Sequence, residues 1–507
     1  MIEASVQIGA ESIGRVSPRL YGTLAEHLGR CCYDGLWVGP SSQIPNVEGF
    51  RTDVVEALRD LPMPLVRWPG GCYADHYHWR SGIGSPAERP LTLGTSCGLS
   101  VPDSNALGTH EFLRFCELTG AEPYIAGNVG SGSVQELCDW VEYVNSDVDT
   151  SLARERAANG RPDPGHVRLW GIGNESWDCG GRFDASAYAQ EFRRYATMLR
   201  HIDPKVALVA VGLEDDPLPE MGLDPDWNVR FLTALGPSVG LVDHLSIHRY
   251  WIRGGPETDF DEADYYALLA EADATEALIE RTARTIGAMA PPSHRIGIAL
   301  DEWGVWHPEA RDWGPGDVPR RTPTTFEQAG TLRDALAAAA ALEVFHRQCS
   351  VLSMANLAQT VNVLHALLVT DGAACVKTPT YHAFSLHSPH IGAQAHGTQV
   401  TTDITLPTGR SAVSATASRS ELGAAVTLIN RHFDRAITTG MRAAGMAVER
   451  ARVLAADAAN AVNSPQMPDR VAPRPLEVTR TSEGEFTFTL PAHSMATIEF
   501  RAARGEP

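Results

Sequence analysis

No continuous apolar stretch in this 507-residue chain reaches the roughly eighteen residues that a membrane-spanning helix needs. The longest alanine-rich piece, Ala335–Leu342, lies inside an amphipathic pattern bounded by charges. No leader is expected either. Met1-Ile2-Glu3-Ala4 has no basic n-region, and no apolar run of signal-peptide length follows it, so a cytoplasmic location is expected. Positive charge is in deficit: 42 Lys+Arg stand against 62 Asp+Glu, for a formal net charge of −20. Such a surface repels nucleic acid and anionic membrane, so neither is expected as a partner. Cysteine is present without a framework. The nine residues are odd in number, Cys31 and Cys32 are adjacent, and the others are scattered without CxxC spacing, which reads as reduced thiols. Low-complexity tracts are absent, and a hydrophobic fraction of 43% supports a real core in one large domain plus a smaller one.

What is present is alternation. A probable strand at Ser5–Ile8 is followed by eight apolar, strand-like runs separated by helix-like segments: Arg19–Ala25, Pro64–Trp68, Pro123–Ala126, Val167–Trp170, Val206–Val211, Leu241–Ile247, Arg295–Leu300 and Val351–Met354. Helices are expected near Thr52–Arg59, Thr109–Leu118, Val134–Val144, Ala185–Ile202 and Phe326–Phe345. Eight such repeats predict a (β/α)8 barrel over residues 18–385. A doubly wound sheet would need a glycine-rich phosphate turn after the first strand, and none is there. Beyond about Leu386 the pattern becomes short strands separated by Gly, Pro and Asn: Ala424–Ile429, Val453–Ala456, Leu476–Thr479, Glu485–Thr489 and Ala496–Arg501. This predicts a jelly-roll-like β-sandwich from residues 386–507, joined by the amino-terminal strand from 1–17.

Polar residues recur where the runs end: Glu26, Arg67, Asn128, Asn174, Glu175, Tyr250, Glu302 and Gln359. In a barrel those ends form one rim, where active sites are built. Trp170-Gly-Ile-Gly-Asn-Glu-Ser176 and Asp301-Glu302-Trp303 each deliver a carboxylate to that rim, from the fourth and seventh runs. Two carboxylates facing each other across a barrel mouth suit a retaining glycosidase, whose acid groups stand ~5–5.5 Å apart. The pair needs opposite electrostatics. Arg67 is placed to hold one of them as an anion, and Asn174 to hydrogen-bond a sugar hydroxyl. On this reading Glu302 is the nucleophile and Glu175 the acid/base.

These motifs resemble glycoside hydrolase family 51, the α-L-arabinofuranosidases. The likeness extends through Glu26-His-Leu-Gly-Arg30, Arg67-Trp-Pro-Gly-Gly-Cys72, Tyr77-His-Trp79, Gly127-Asn-Val-Gly-Ser-Gly132 and Met354-Ala-Asn-Leu-Ala-Gln-Thr-Val-Asn362, in order along the barrel. It implies the same roles for Glu175 and Glu302. It also implies furanose contacts from Glu26, Cys72, Asn174, Tyr250 and Gln359, with Arg67, His248 and Trp306 in support. The family resemblance further implies no cofactor or metal, an oligosaccharide substrate bearing terminal arabinofuranose, and a homo-oligomer, often a hexamer. Two departures stand out: Cys97-Gly98 where a tryptophan before glycine is expected, and Arg249 where a second aromatic is usual. Both fall on the leaving-group side, where aromatic faces pack against sugars.

Other readings remain open at this point. The same chemistry could serve a galactofuranoside or β-xyloside. A binding protein that has lost catalysis would lack one of the two carboxylates, and a phosphate-handling barrel would need a glycine-rich anion site after strand seven or eight. Asp75 with His76-x-His78 reads as a hydrogen-bonding pair around substrate rather than a metal site. Cys31-Cys32 reads as packing, and the acidic run Glu257–Glu271 as a solvated helix face and loop.

Overall fold

The structure is a computed structural model that describes residues 2–61, 63–214, 222–316, 318–321 and 325–502. The eight apolar runs become eight parallel strands in a closed barrel: Gly22–Leu24, Leu65–Trp68, Glu122–Gly127, Leu169–Ile172, Ala207–Ala210, His244–Trp251, Gly297–Val305 and Leu352–Ala358. The eighth closes on the first through Asn356↔Gly22 and Ala358↔Leu24. Leu65, Tyr124, Leu169, Val209, Ala299 and Met354 pack together inside the barrel, so its interior is a filled core. The chemistry-bearing residues lie further along the same strands and just past their carboxyl ends.

Local signals explain where elements begin. The first strand starts later than its apolar run suggests, because Ser17 caps a short turn at Pro18–Tyr21, its hydroxyl accepting the Arg19 amide at 3.2 Å. Helix Ala185–Ile202 has the expected bounds, with the Asp184 carboxylate taking the Ser186 and Ala187 amides. The helix expected over Phe326–Phe345 instead runs Leu332–Arg347. A capping box sets that start: Thr331 accepts the Asp334 amide, and Asp334 returns to the Thr331 amide at 2.8 Å. It is not amphipathic in the sense of having a wet face. Every side chain from Leu332 to His346 is buried, because barrel and carboxy-terminal sheet cover its two sides. Charged members survive there by pairing, with Glu343 3.5 Å from Arg431 and Arg431 2.7 Å from Asp273.

The carboxy-terminal strands form one continuous ten-stranded sheet. The amino-terminal strand, Ala4–Arg15, lies within it, antiparallel to Gln394–Thr402 and parallel to Ile437–Arg442. The sheet folds over so that the Phe486 and Phe500 rings meet at 5.4 Å. Strands at Gln394–Thr402, Val413–Ser420 and Ile437–Arg442 were not expected from the pattern. Among the described residues, no helix is long and apolar enough to cross a membrane.

Candidate active site

A cavity of about 930 Å³ opens at the carboxyl end of the barrel. Glu26, Cys72, Glu175, His248, Tyr250, Glu302, Trp306 and Gln359 all line it. Arg67 and Asn174, each 1% exposed, stand directly behind. The two acids and the expected sugar contacts and supporting residues therefore converge on one place.

Glu302 is held at both oxygens. Arg67 Nη1 donates to Oε1 at 2.8 Å and the Tyr250 hydroxyl to Oε2 at 2.7 Å. Burial by itself would raise the acid's pKa, but His248, Arg67 and the Tyr250 hydroxyl outweigh it and hold the carboxyl below its ordinary value. Arg67 is fixed in turn: its Nη2 donates to Asn174 Oδ1 at 2.6 Å and its Nε lies 3.7 Å from Asp301. Asp301 is anchored by the Tyr124 hydroxyl at 2.7 Å and Asn356 at 3.2 Å. The Trp306 ring meets Tyr250 edge-on at 5.1 Å and so braces that hydroxyl.

Glu175 is treated differently. Burial raises its pKa, and the bond from His248 Nδ1 to Oε1, 2.8 Å long, only partly opposes this. His248 Nδ1 also lies 3.7 Å from Glu302 Oε2. Burial disfavours the imidazolium, yet the two carboxylates outweigh that and raise its pKa. Nearest carboxylate oxygens of Glu175 and Glu302 fall within 4.8 Å of each other. Glu175 itself has φ +38°, a left-handed conformation that a non-glycine residue adopts only when its surroundings impose it. The imposition is visible: Gly173 enters the turn at φ +85°, and the Glu175 carbonyl accepts the Asp178 and Gly180 amides at 2.8 and 3.1 Å.

Glu26 completes the floor. Its Oε1 accepts the Tyr73 amide at 3.1 Å and the Ser96 hydroxyl at 2.7 Å, and Oε2 accepts Gln359 Nε2 at 3.0 Å. Burial and the charge of Glu302 raise its pKa to about 7. Gly71 explains the closeness of the two acids, since a Cβ there would sit 2.8 Å from Glu302 Oε1 and 3.2 Å from Glu26 Oε1.

Several expectations need correction. Cys72 is not a free thiol: it forms a disulfide with Cys179, across 107 residues of sequence and a Cα separation of 5.6 Å, and presents that bridge to the cavity. Spacing gave no sign of this, because the pair meets only when the loops after strands two and four come together. The remaining seven cysteines are free, with Cys31 and Cys32 buried. His76 and His78 do not act as a pair around substrate. His76 faces the cavity from a short helical turn, Cys72–His76, whereas His78 points outward to Glu136 at 2.9 Å. Asn128 serves its own loop, accepting the Ser131 and Gly132 amides. Glu271, in the acidic run, is buried and accepts the Ile252 and Arg253 amides. Arg249, in place of an aromatic, pairs with Glu214 at 3.0 Å on the cavity wall.

Two features went unread. Asp75 ties three rim loops together, with Oδ1 accepting the Val129 and Gly130 amides at 2.7 Å each and Oδ2 the Asn174 amide at 2.8 Å. Burial raises its pKa to about 6 against those bonds. The stretch read as a long loop holds a hairpin, Thr92–Ser96 with Leu99–Asp103, whose tip Cys97-Gly98 reaches the cavity. Alternating residues around a Cys-Gly turn were the available signal. Asp103 roots the hairpin through the Tyr33 hydroxyl at 2.7 Å and the Tyr73 hydroxyl.

Among the described residues, two sets of donor atoms are compact enough to hold a metal ion: Cys72, Glu175 and Cys179; and Glu175, His248 and Glu302. Chemically, the arrangement offers one carboxyl whose pKa is lowered and one whose pKa is raised, with oxygens within 4.8 Å of each other, in a cavity walled by Trp, Tyr and polar groups.

Known proteins match the chain along its length. The family described as Alpha-L-arabinofuranosidase 1 domain matches residues 57–253, and the Alpha-L-arabinofuranosidase C-terminal domain matches 301–494. An intracellular exo-alpha-L-arabinofuranosidase of Bacteroides ovatus is 38% identical over 98% of this chain and 96% of that protein. The crystal structure of a GH51 arabinofuranosidase from Xanthomonas axonopodis pv. citri superposes with a TM-score of 0.90 at 35% identity, covering 99% of this chain and 100% of the other. An alpha-L-arabinofuranosidase from Thermotoga maritima in complex with arabinose gives 0.85 at 28% identity, covering 98% and 99%.

Proposed function

The chain belongs to the glycoside hydrolase family 51 α-L-arabinofuranosidases, and on that premise we propose that Glu302 and Glu175 carry out a retaining, exo-acting hydrolysis of terminal α-L-arabinofuranosides. The observation that carries the assignment is the opposed environment of two acids whose oxygens lie within 4.8 Å. That spacing leaves no room for the water that an inverting pair, ~6.5–9.5 Å apart, must hold. Glu302, clamped as an anion by Arg67 and Tyr250, attacks the anomeric carbon while Glu175 gives its proton to the departing oxygen. Glu175, now a carboxylate, takes a proton from water, which attacks the anomeric carbon and releases Glu302. Its negative charge in this second half is matched by His248 at 2.8 Å.

Glu26, Gln359, Asn174 and Tyr250 then hold the furanose hydroxyls, and the disulfide of Cys72 forms part of the wall against which the ring sits. The barrel, residues 18–385, is the catalytic unit, and residues 1–17 with 386–507 the accessory one. Substrates of this reading are short arabino- and arabinoxylo-oligosaccharides met inside the cell, and the protein is a homo-oligomer, which light scattering tests.

The activity is tested by release of p-nitrophenol from α-L-arabinofuranoside, β-D-galactofuranoside and β-D-xyloside. Preference for the arabinofuranoside is expected. Preference for another sugar would move the ring contacts into question, and silence on all three would overturn the reading.

A further inference from the structure

Two sulfurs stand at the most sensitive corner of the cavity. Cys72 Sγ lies 4.0 Å and Cys179 Sγ 3.6 Å from Glu175 Oε2, while the other oxygen of the same carboxylate holds His248 Nδ1 at 2.8 Å. As a disulfide the sulfurs are poor ligands, since soft metals are held by thiolates. As two thiols beside a carboxylate, they are a donor set of the kind that binds zinc. We propose that reducing the Cys72–Cys179 disulfide converts the acid/base corner into a binding site for a zinc-class metal ion, which silences Glu175.

The geometry supports it without a change of backbone. A tetrahedral zinc with sulfurs at ~2.3 Å and a carboxylate oxygen at ~2.0–2.2 Å sets its ligands roughly 3.5–3.8 Å apart. The observed sulfur–oxygen separations of 3.6 and 4.0 Å already fall near that range. Only the sulfurs must part, and their Cα separation of 5.6 Å lets side-chain rotation do so. The two cysteines sit on a short helical turn and a tight turn, Cys72–His76 and the loop around 178–181, rather than on barrel strands. The cavity above leaves the ion a way in, and the fourth position falls to water.

The chemistry balances. Two thiol molecules reduce the bridge, Cys72–S–S–Cys179 + 2 RSH giving two cysteine thiols and RSSR. Zinc then forms two bonds to sulfur as both thiol protons and the Glu175 carboxyl proton leave to solvent, and the Glu175 carboxylate supplies the third ligand. A carboxylate whose lone pair is on a metal has no proton for the departing oxygen. The oxidised enzyme has no thiolates to offer, so any metal it takes up at Glu175, His248 and Glu302 binds without a thiolate band and more weakly.

This inference rests on Glu175 being the acid/base only for its effect on turnover; metal uptake is read separately. The full chain is compared oxidised and after reduction with a phosphine (which takes its oxygen from water), desalted under argon, with cobalt(II) as the spectroscopic probe and zinc as competitor. Expected for the reduced protein are two more titratable thiols, one cobalt per chain with a thiolate-to-cobalt charge-transfer band, and displacement by zinc. Zinc should also cut arabinofuranoside hydrolysis by about 10²-fold or more, the scale of a lost general acid, with recovery on adding a chelator. The reduced Cys179→Ser protein should lose most of the band. The same cobalt spectrum in oxidised and reduced protein would overturn the proposal, as would reduction without a thiolate band. So would a bridge that opens only when circular dichroism reports unfolding, or equal zinc inhibition of both forms. Absence of arabinofuranosidase activity in the oxidised protein would instead count against the functional reading, while the cobalt band still decides this one.

Discussion

Replacing His248 by asparagine removes the group that bridges the two acids, and the consequence is a displacement of the whole pH–rate profile. His248 Nδ1 makes a 2.8 Å bond to Glu175 Oε1 and lies 3.7 Å from Glu302 Oε2. Both contacts favour the carboxylates in their charged form, so losing them raises both pKa values. A hydrogen bond to a charged group contributes about 1.5–3 kcal/mol. At about 1.4 kcal/mol per unit, Glu175 should rise by about one to two units. Glu302 keeps Arg67 and Tyr250 and should rise by about one unit, the low end of what a neighbouring opposite charge produces.

The sign follows from the roles. The acidic limb of kcat/KM reports Glu302, which must be ionised, and the basic limb reports Glu175, which must be protonated. Raising both moves both limbs to higher pH, with the basic limb moving further. The assay is kcat/KM on an aryl arabinofuranoside across the pH range, wild type against His248→Asn, with circular dichroism as the check on folding. An unmoved profile, or movement toward acid, would refute the electrostatic account.

Asp75→Asn should cost more on substrates with poor leaving groups than on nitrophenyl glycosides. An amide sets an N–H against one of the three backbone amides now accepted, which shifts Asn174-Glu175, and misplacement by ~1 Å can cost about 10²-fold. Equal losses on both substrate types would contradict it. Gly71→Ala should lower kcat by about 10²-fold without unfolding the protein, because the new Cβ lands 2.8 Å from Glu302 Oε1; wild-type kcat would show that Glu302 tolerates displacement.

The barrel was legible because each of its strands is a separate apolar run and every run but Val206–Val211 ends in a residue of distinct chemistry, as in Trp170–Ser176 and Ile296–Trp303. The two acids and Arg67 were legible for the same reason: strand ends share a rim, so linear order predicts convergence. What depends on contact between loops was not. Cys72 and Cys179 are 107 residues apart, and nothing in the spacing pairs them. Asp75 looked like part of a histidine motif because its three partners, Val129, Gly130 and Asn174, are backbone amides that no sequence pattern displays. Glu271 looked solvated within an acidic run, whereas its partners are amides at a strand's end. The sheet strands at Gln394–Thr402 and Val413–Ser420 escaped notice because they are rich in Thr, Ser, Ala and Gln rather than in large apolar residues.

The division of labour between Glu302 and Glu175 is tested most directly by Glu175→Ala and Glu302→Ala on an activated aryl arabinofuranoside, with and without azide. The account predicts slow turnover by Glu175→Ala that azide accelerates, giving a glycosyl azide of retained configuration, because the nucleophile still acts and no acid is needed for so good a leaving group. It predicts no turnover by Glu302→Ala under the same conditions without azide. Equal inactivity of the two proteins, or azide rescue of Glu175→Ala with inverted configuration, would contradict it.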